Sequence, residues 1–517
     1  MATEPAPVEQ ASGAARTSLL LRQVRLVPVT GAAPPGAVDV RVRDGVVTDV
    51  GPGLVPERGD ELLDADGRWL VPGLWDAHVH MTQWARSLAQ LDLAGTDSPG
   101  QVTCKVAAAV GELDGAGRRD GLVAGYGYRS GTWATAPTVA ELDAVSGAHP
   151  VVLVSGDAHN GWLNARALAL LGLPARQDVL QEAEWFAVLP RLDELASGQD
   201  PLVGLRAAAE SAAAKGVVGI ADMEWEVGHR AWPARVARGV DLLRVRTATY
   251  AGDLDDVVAA GLRTGDPLDP RGLVRMGPLK VIFDGSVNTR TAFCCAPYAG
   301  ATGADGWRGV LNVPPAELER LCRRAHEVGL EVALHAIGDA AVGAALDAIE
   351  RSGARGSLEH VQLLAPADVP RFAQLGVRAS VQPAHLLDDR DLSTSLWPQA
   401  QDRCFALRSL LDAGATLRLG SDAPVARLDP WLAMAAAVHR SADVRAPWTP
   451  AEALTPAQAL AASTDGRGTV RPGVPGDLAL LDDDPLDPDG DSAQQAARLR
   501  DMRVGATVLG GRVTHRW

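Results

Sequence analysis

Apolar and polar positions along the second half of the chain repeat in a regular unit: an amphipathic helix, a glycine, then a short apolar strand. After Pro314-Pro315, residues Leu318, Leu321, Cys322 and Ala325 fall on one helical face, Gly329 follows, and 331–335 reads as a strand. Val342, Leu346 and Ile349, then Gly353, precede a strand over 357–360. Val369, Phe372 and Leu375, then Gly376, precede one over 378–382. Leu407, Leu410 and Leu411, then Gly414, precede one over 416–421. Glycine just past a helix supplies the left-handed residue that ends it. Alternating strands and helices imply parallel βαβ units. Upstream, 74–80, 217–223, 243–250 and 279–283 have the same strand character. The total of eight matches a closed (β/α)8 barrel.

Two regions depart from that rhythm. The 136 residues between the first and second barrel strands (81–216) are too many for one βα connection. Most of them, about 85–205, read as an insertion over the barrel mouth, with its own strand over 151–155 and a helix from about 164 to 171. Short strands broken by Gly and Pro occupy 18–71 and return after 477, at 477–481, 506–509 and 511–514. The expected architecture is therefore α/β. A barrel over 72–463 carries the insertion, and a small composite β-sandwich is built from 17–71 plus 464–517. Residues 1–16 lack an apolar core and read as a disordered tail rather than a signal peptide.

Composition narrows the function classes. The chain has 517 residues and a formal net charge of −15 with no basic block, which argues against a nucleic-acid partner. No run of 18 apolar residues suggests a membrane span. Five scattered cysteines, none in a C-x-x-C pair, fit a reducing, cytoplasmic setting. Only three of the 49 basic residues are lysines, at 105, 215 and 280. A lysine that survives in an arginine-dominated chain is a candidate for a task arginine cannot perform, since only the lysine amine can become neutral and nucleophilic.

Polar residues close nearly every expected barrel strand, at the rim where (β/α)8 barrels place their chemistry. His78 and His80, two apart, share one face of the first strand. Lys280 lies on the fourth strand, His335 ends the fifth, His360 the sixth and Gln382 the seventh. Asp422 follows the eighth. Any one of these histidines is most simply structural. Four histidines and an aspartate on one rim suit a divalent metal, because neutral imidazole and carboxylate are standard ligands for zinc and its neighbours.

Several segments carrying these residues resemble motifs of the amidohydrolase superfamily, and of amidohydrolase family 3 in particular. They are Val71-Pro72-Gly73-Leu74-Trp75-Asp76-Ala77-His78-Val79-His80, Gly277-Pro278-Leu279-Lys280-Val281-Ile282-Phe283-Asp284-Gly285-Ser286, His335-Ala336-Ile337-Gly338-Asp339, Glu359-His360-Val361-Gln362, Ser380-Val381-Gln382-Pro383 and Gly420-Ser421-Asp422-Ala423-Pro424-Val425. Within the insertion, Asp157-Ala158-His159 and Trp162-Leu163-Asn164 resemble a family segment over the substrate site. The resemblance implies a barrel with a divalent metal centre, most simply two Zn2+, with Fe or Mn as alternatives. His78 and His80 would hold one metal together with Asp422, and His335 and His360 a second. A carbamate formed on Lys280 by carbon dioxide would bridge them. A single-metal site, with Lys280 unmodified or ion-paired to Asp284 or Asp422, remains open.

The expected activity is hydrolysis of an amide-like C–N bond, of the N-substituted formamide or N-acyl amine type, with Asp422 as general base and then acid. Substrate-pocket candidates are Asp157, His159, Asn164, Trp75, Trp162, Arg290, Gln382 and His385. For Asn164 a helix N-cap is an equal alternative. The partner implied is a small molecule, and relatives suggest a homodimer. Deamination or cyclic-amide hydrolysis at the same metal site, or a non-catalytic ligand-binding descendant, are the competing readings.

Overall fold

Eight parallel strands form the frame of the molecule: β1 (Leu74–Val79), β2 (Val217–Asp222), β3 (Arg244–Thr249), β4 (Val274–Ile282), β5 (Val332–Ala336), β6 (Gly356–His360), β7 (Arg378–Val381) and β8 (Thr416–Leu419). They come from a computed structural model that describes residues 18–195, 201–301, 306–442 and 445–516. The expected tail over 1–16 lies outside the described residues. Each strand hydrogen-bonds to the next in chain order. The ring closes at the rim, where Asp422 N donates to His78 O at 2.7 Å and His80 N donates to Ala423 O at 2.8 Å. The closed α/β barrel expected from the sequence is thus present. The one sizeable boundary difference is β4, which begins at Val274 rather than 279.

The helical faces behave as the periodicity requires. In the helix Pro315–Val328, Leu318, Leu321, Cys322 and Ala325 are the buried residues. It stops at Gly329, whose φ of 80° is left-handed and costs glycine nothing. Leu346 and Ile349 of the next helix join the same core, which runs continuously from the barrel wall to the helices outside it. Among the described residues, no helix is long and apolar enough to cross a membrane.

The two chain ends build one sheet. Trp69–Pro72 pairs antiparallel with Leu478–Leu481, which pairs in turn with Val504–Leu509. On its other side Trp69–Pro72 pairs with Ser18–Leu26. Eight strands drawn from both chain ends, separate from those of the barrel, form one continuous sheet on a core that includes Leu19, Leu21, Val40, Val42, Leu478 and Val508. The insertion after β1 holds a separate five-stranded sheet, with Val151–Ser155 at its centre.

Asp477 ties the composite sheet to the barrel. It is fully buried and accepts hydrogen bonds from Arg244 of β3 at 2.7 and 3.0 Å, from Arg467 at 2.8 Å and from Gly510 N at 2.8 Å. Burial acts to raise its pKa, but the two guanidiniums outweigh it and hold the carboxyl below its ordinary value. A depressed native pKa means the carboxylate contributes its full stability above the unfolded value, near pH 4, and loses it as pH falls through the native value. Asp477→Asn is expected to cost about 2–3 kcal/mol at pH 7, the arginines being partly solvated. In thermal melts the gap between variant and parent should close toward pH 3. A gap of equal size at both pH values would mean that packing, not charge, sets the cost.

Candidate active site

The rim residues converge because each strand ends at a similar height in the barrel. His78 is 1% exposed, Lys280 2%, His335 and His360 4% and Asp422 6%. Ring centroids lie 5.5 Å apart for His78 and His80, 5.0 Å for His78 and His360, and 4.5 Å for His335 and His360. Asp422 sits among them. Its Oδ1 is 3.4 Å from His80 Nε2 and 3.5 Å from His78 Nε2, and its Oδ2 is 3.8 Å from His360 Nδ1. Burial alone would raise the Asp422 pKa, yet His78, His80 and His360 hold it well below the ordinary carboxylate range.

These donors fit a divalent metal. Nitrogen or oxygen atoms of His78, His360 and Asp422 all lie within 4.8 Å of one another. His78 Nδ1 is 2.7 Å from Glu359 Oε2, which fixes the tautomer and leaves Nε2 aimed inward, the usual arrangement behind a metal-binding imidazole. The ring of His360 is held by Gln382, whose Oε1 lies 2.8 Å from its Nδ1. Gln382, expected to touch substrate, therefore acts through His360. His80 Nδ1 is buried with no hydrogen-bond partner among the described residues. His335 stands apart in one respect, its Nε2 facing Gly285 O at 3.3 Å and Asp284 Oδ1 at 3.5 Å.

Lys280 Nζ lies 3.3 Å from His78 Nε2. Among the described residues it makes no ion pair. Asp284, one of its candidate partners, instead accepts backbone N–H bonds from Phe293, Ile337 and Gly338. Burial pushes the Lys280 pKa down to about 8, against the opposing pull of Glu359 and Asp422, so a neutral amine is accessible near neutral pH.

Two of the metal-face residues have unusual backbones. His360 has φ 74° and Asp422 φ 58°. Such left-handed non-glycine residues cluster at functional sites, because the surrounding structure must hold them there. The turn at His360 also explains a residue the sequence reading missed. In a regular strand Glu359 and His360 would point to opposite faces. The positive φ breaks the alternation, so Glu359 reaches His78 and His360 still faces the site.

A cleft of about 460 Å3 opens above the rim, and a second of about 350 Å3 shares Asp157, His159, His335, His360, Asp422 and Val425 with it. Together they form one two-armed site. Phe186, Leu189, Trp225 and Ile282 line the first arm. Trp225 stacks on Tyr250 at 4.6 Å, which stiffens that wall. Arg129, Asn288, Gln362, His385 and Asp389 line the second. The junction is supplied by the insertion. Asp157 accepts from Ser155 Oγ at 2.5 Å and Ser286 Oγ at 2.8 Å. His159 Nδ1 lies 3.0 Å from Glu182 Oε2. Burial would lower the His159 pKa, but Glu182 and Asp157 overcome it and raise it to about 9.

Four more expected substrate residues, besides Gln382, are corrected by their positions. Asn164 is an N-cap: its Oδ1 accepts from Ala167 N and Val151 N and its Nδ2 donates to Ser146 Oγ, so no polar atom remains for a ligand. Trp162 is fully buried in the insertion core and donates to Thr138 O. Trp75 packs against Gly219 near the other end of the strands, with the Arg246 guanidinium 4.2 Å from its ring centroid. Arg290 is exposed and lines neither arm; the guanidinium beside the site is that of Arg129.

The model of the amidohydrolase family matches residues 61–515. The chain belongs to this family. As an amidohydrolase it is an enzyme, a metal-dependent hydrolase of carbon–nitrogen bonds other than peptide bonds. Among curated relatives, the amidohydrolase is 27% identical to Protein LONG AFTER FAR-RED 3 of Arabidopsis thaliana, over 86% of this chain and 84% of the other. It is 26% identical to an N-substituted formamide deformylase of Arthrobacter pascens, over 90% and 92%. A metal-dependent hydrolase from Pyrococcus horikoshii superposes with a TM-score of 0.75 at 24% identity, covering 91% of this chain and 98% of that one, which extends the shared fold through nearly the whole chain.

Proposed function

We propose that this amidohydrolase cleaves the C–N bond of an N-substituted formamide or a related N-acyl amine. The observation that carries the reading is the convergence of His78, His360 and Asp422, beside a buried Lys280, at the junction of an aromatic arm and a polar arm. A relative similar along nearly its whole length is an N-substituted formamide deformylase. His78, His80, His335, His360 and Asp422 would hold one or two divalent metals, zinc being the first choice for imidazole and carboxylate, with a carbamate on Lys280 between two of them. Bound there, the metal lowers the pKa of water and supplies a nucleophile at neutral pH.

The chain's own residues supply the rest. Asp422 Oδ1, which accepts no backbone hydrogen bond among the described residues, takes a proton from the attacking water and returns it to the leaving nitrogen. His159, kept protonated by Glu182, puts a fixed positive charge on the cleft wall where the tetrahedral oxyanion develops. Phe186, Leu189 and Trp225 take the apolar N-substituent, and the walls exclude bulk water around it.

The test is turnover of N-benzylformamide and N-acetylbenzylamine by the protein as purified, after removal of metal by chelation, and after zinc or manganese is restored. Amine release that disappears on chelation and returns with metal is the expected result. Ammonia release from amino-heterocycles, or ring opening of cyclic amides, with both linear amides untouched would overturn it.

A further inference from the structure

We propose that the polar arm is a specificity site for a neutral carboxamide or ureido group on the substrate, on the side of the scissile bond away from the aromatic arm. The proposal rests on the amide-hydrolase reading above and says which amides are preferred. Its basis is a set of three buried side chains whose free atoms are fixed by their own partners. Gln362, His385 and Asn288 are 3%, 4% and 8% exposed, and among the described residues Gln362 Oε1, His385 Nε2 and Asn288 Nδ2 have no hydrogen-bond partner, the nearest carboxylate to His385 Nε2 being Asp422 Oδ2 at 3.9 Å.

The hydrogen-bond sense of each free atom follows from the bonded end. Gln362 Nε2 donates to Asp389 Oδ2 at 3.1 Å, a carboxylate that can only accept, so the free end of that amide is the carbonyl oxygen. Asn288 Oδ1 accepts from Gly131 N at 2.8 Å, so its free end is the NH2 donor. His385 Nδ1 faces the Gln362 Nε2 donor at 3.4 Å and accepts, which leaves the proton on Nε2. The arm therefore presents one acceptor and two donors to its ligand. A planar group with both an N–H and a C=O answers that set.

Charge excludes the obvious competitor, a carboxylate. Two cationic side chains line this arm, Arg129 and His159, and both are already engaged, His159 with Glu182 Oε2 at 3.0 Å. Arg129 Nη1 bonds Asp389 at 3.2 Å, and its Nη2 bonds Val425 O at 3.2 Å and lies 3.3 Å from Asp388. Asp157 and Asp389 would repel an anion placed beside them. An alkyl group fares no better, since it would leave three buried polar atoms unsatisfied, and sites built to hydrogen-bond a substrate reject analogues that cannot.

The experiment compares kcat/KM for three N-acetylbenzylamines that differ in one substituent on the acetyl methyl carbon: a carboxamide, an isopropyl group or a carboxylate. The carboxamide is expected to lead by about tenfold or more. That ratio should collapse in Gln362→Met and, independently, in Asn288→Leu, so one variant that fails to fold leaves the other as the test. Equal values for the three substrates, a preference for the carboxylate, or an unchanged ratio in folded variants would overturn the proposal. If no amide is turned over, the hydrolase reading fails by itself, and calorimetric binding decides this one. Phenylacetamide binding more tightly than phenylacetone and phenylacetate, with the difference lost in Gln362→Met, upholds the site; indistinguishable binding overturns it.

Discussion

Asp422→Asn is expected to lower kcat by about 10³-fold or more while leaving the fold and the melting temperature nearly unchanged. The substitution is isosteric, and asparagine accepts the left-handed backbone that Asp422 adopts at φ 58°. What it removes is the negative charge held between His78 Nε2 at 3.5 Å and His80 Nε2 at 3.4 Å, and with it the group that carries the proton. Steady-state kinetics, circular dichroism and metal content by plasma mass spectrometry, measured on one preparation, separate the possibilities. A near-normal kcat would remove Asp422 from the chemistry. A lost kcat accompanied by lost metal would make it chiefly a ligand.

Lys280→Arg should be equally severe for a different reason. The side chain is 2% exposed, and its Nζ lies 3.3 Å from His78 Nε2. A guanidinium there is larger and permanently charged, so it can neither react with carbon dioxide nor tolerate a nearby cation. The expected result is activity reduced by about 10³-fold or more and at least one bound metal lost per chain. Native mass spectrometry of the parent should show the added mass of one carbon dioxide, released on acidification and absent from the variant. An unmodified parent, or a variant that retains two metals, would eliminate the bridging carbamate and leave Lys280 as a donor to water or substrate.

Much of the frame was legible from the sequence because barrel strands and their helices are local objects. Glycine stops such as Gly329 and Gly353, and apolar faces such as Leu318 to Ala325, announce themselves within about 15 residues. The rim residues were legible for the same reason: a polar residue at the end of an apolar strand stands out. The polar arm was not, because Arg129, Asn288, Gln362 and Asp389 come from four segments that only the tertiary fold brings together. Adjacency in sequence also misled. Trp75 lies three residues before His78, yet it belongs to the opposite end of the strand, and Trp162 lies three residues after His159, yet it turns into the insertion core. Glu359 was hidden by the backbone turn at His360, a conformation no residue type there advertises.

The sheet that joins both chain ends has a consequence for how the molecule comes into being. Trp69–Pro72 has Ser18–Leu26 on one side, but its partner on the other is Leu478–Leu481, more than 400 residues later. At a synthesis rate of about 5–20 residues per second, the amino-terminal strands emerge from the ribosome roughly 20–80 s before the strand that completes them. During that interval the Leu478-side edge of Trp69–Pro72 stays open, next to the apolar strand Ser18–Leu26. Folding in the cell must therefore shield an unfinished sheet edge until Leu478–Leu481 has been made.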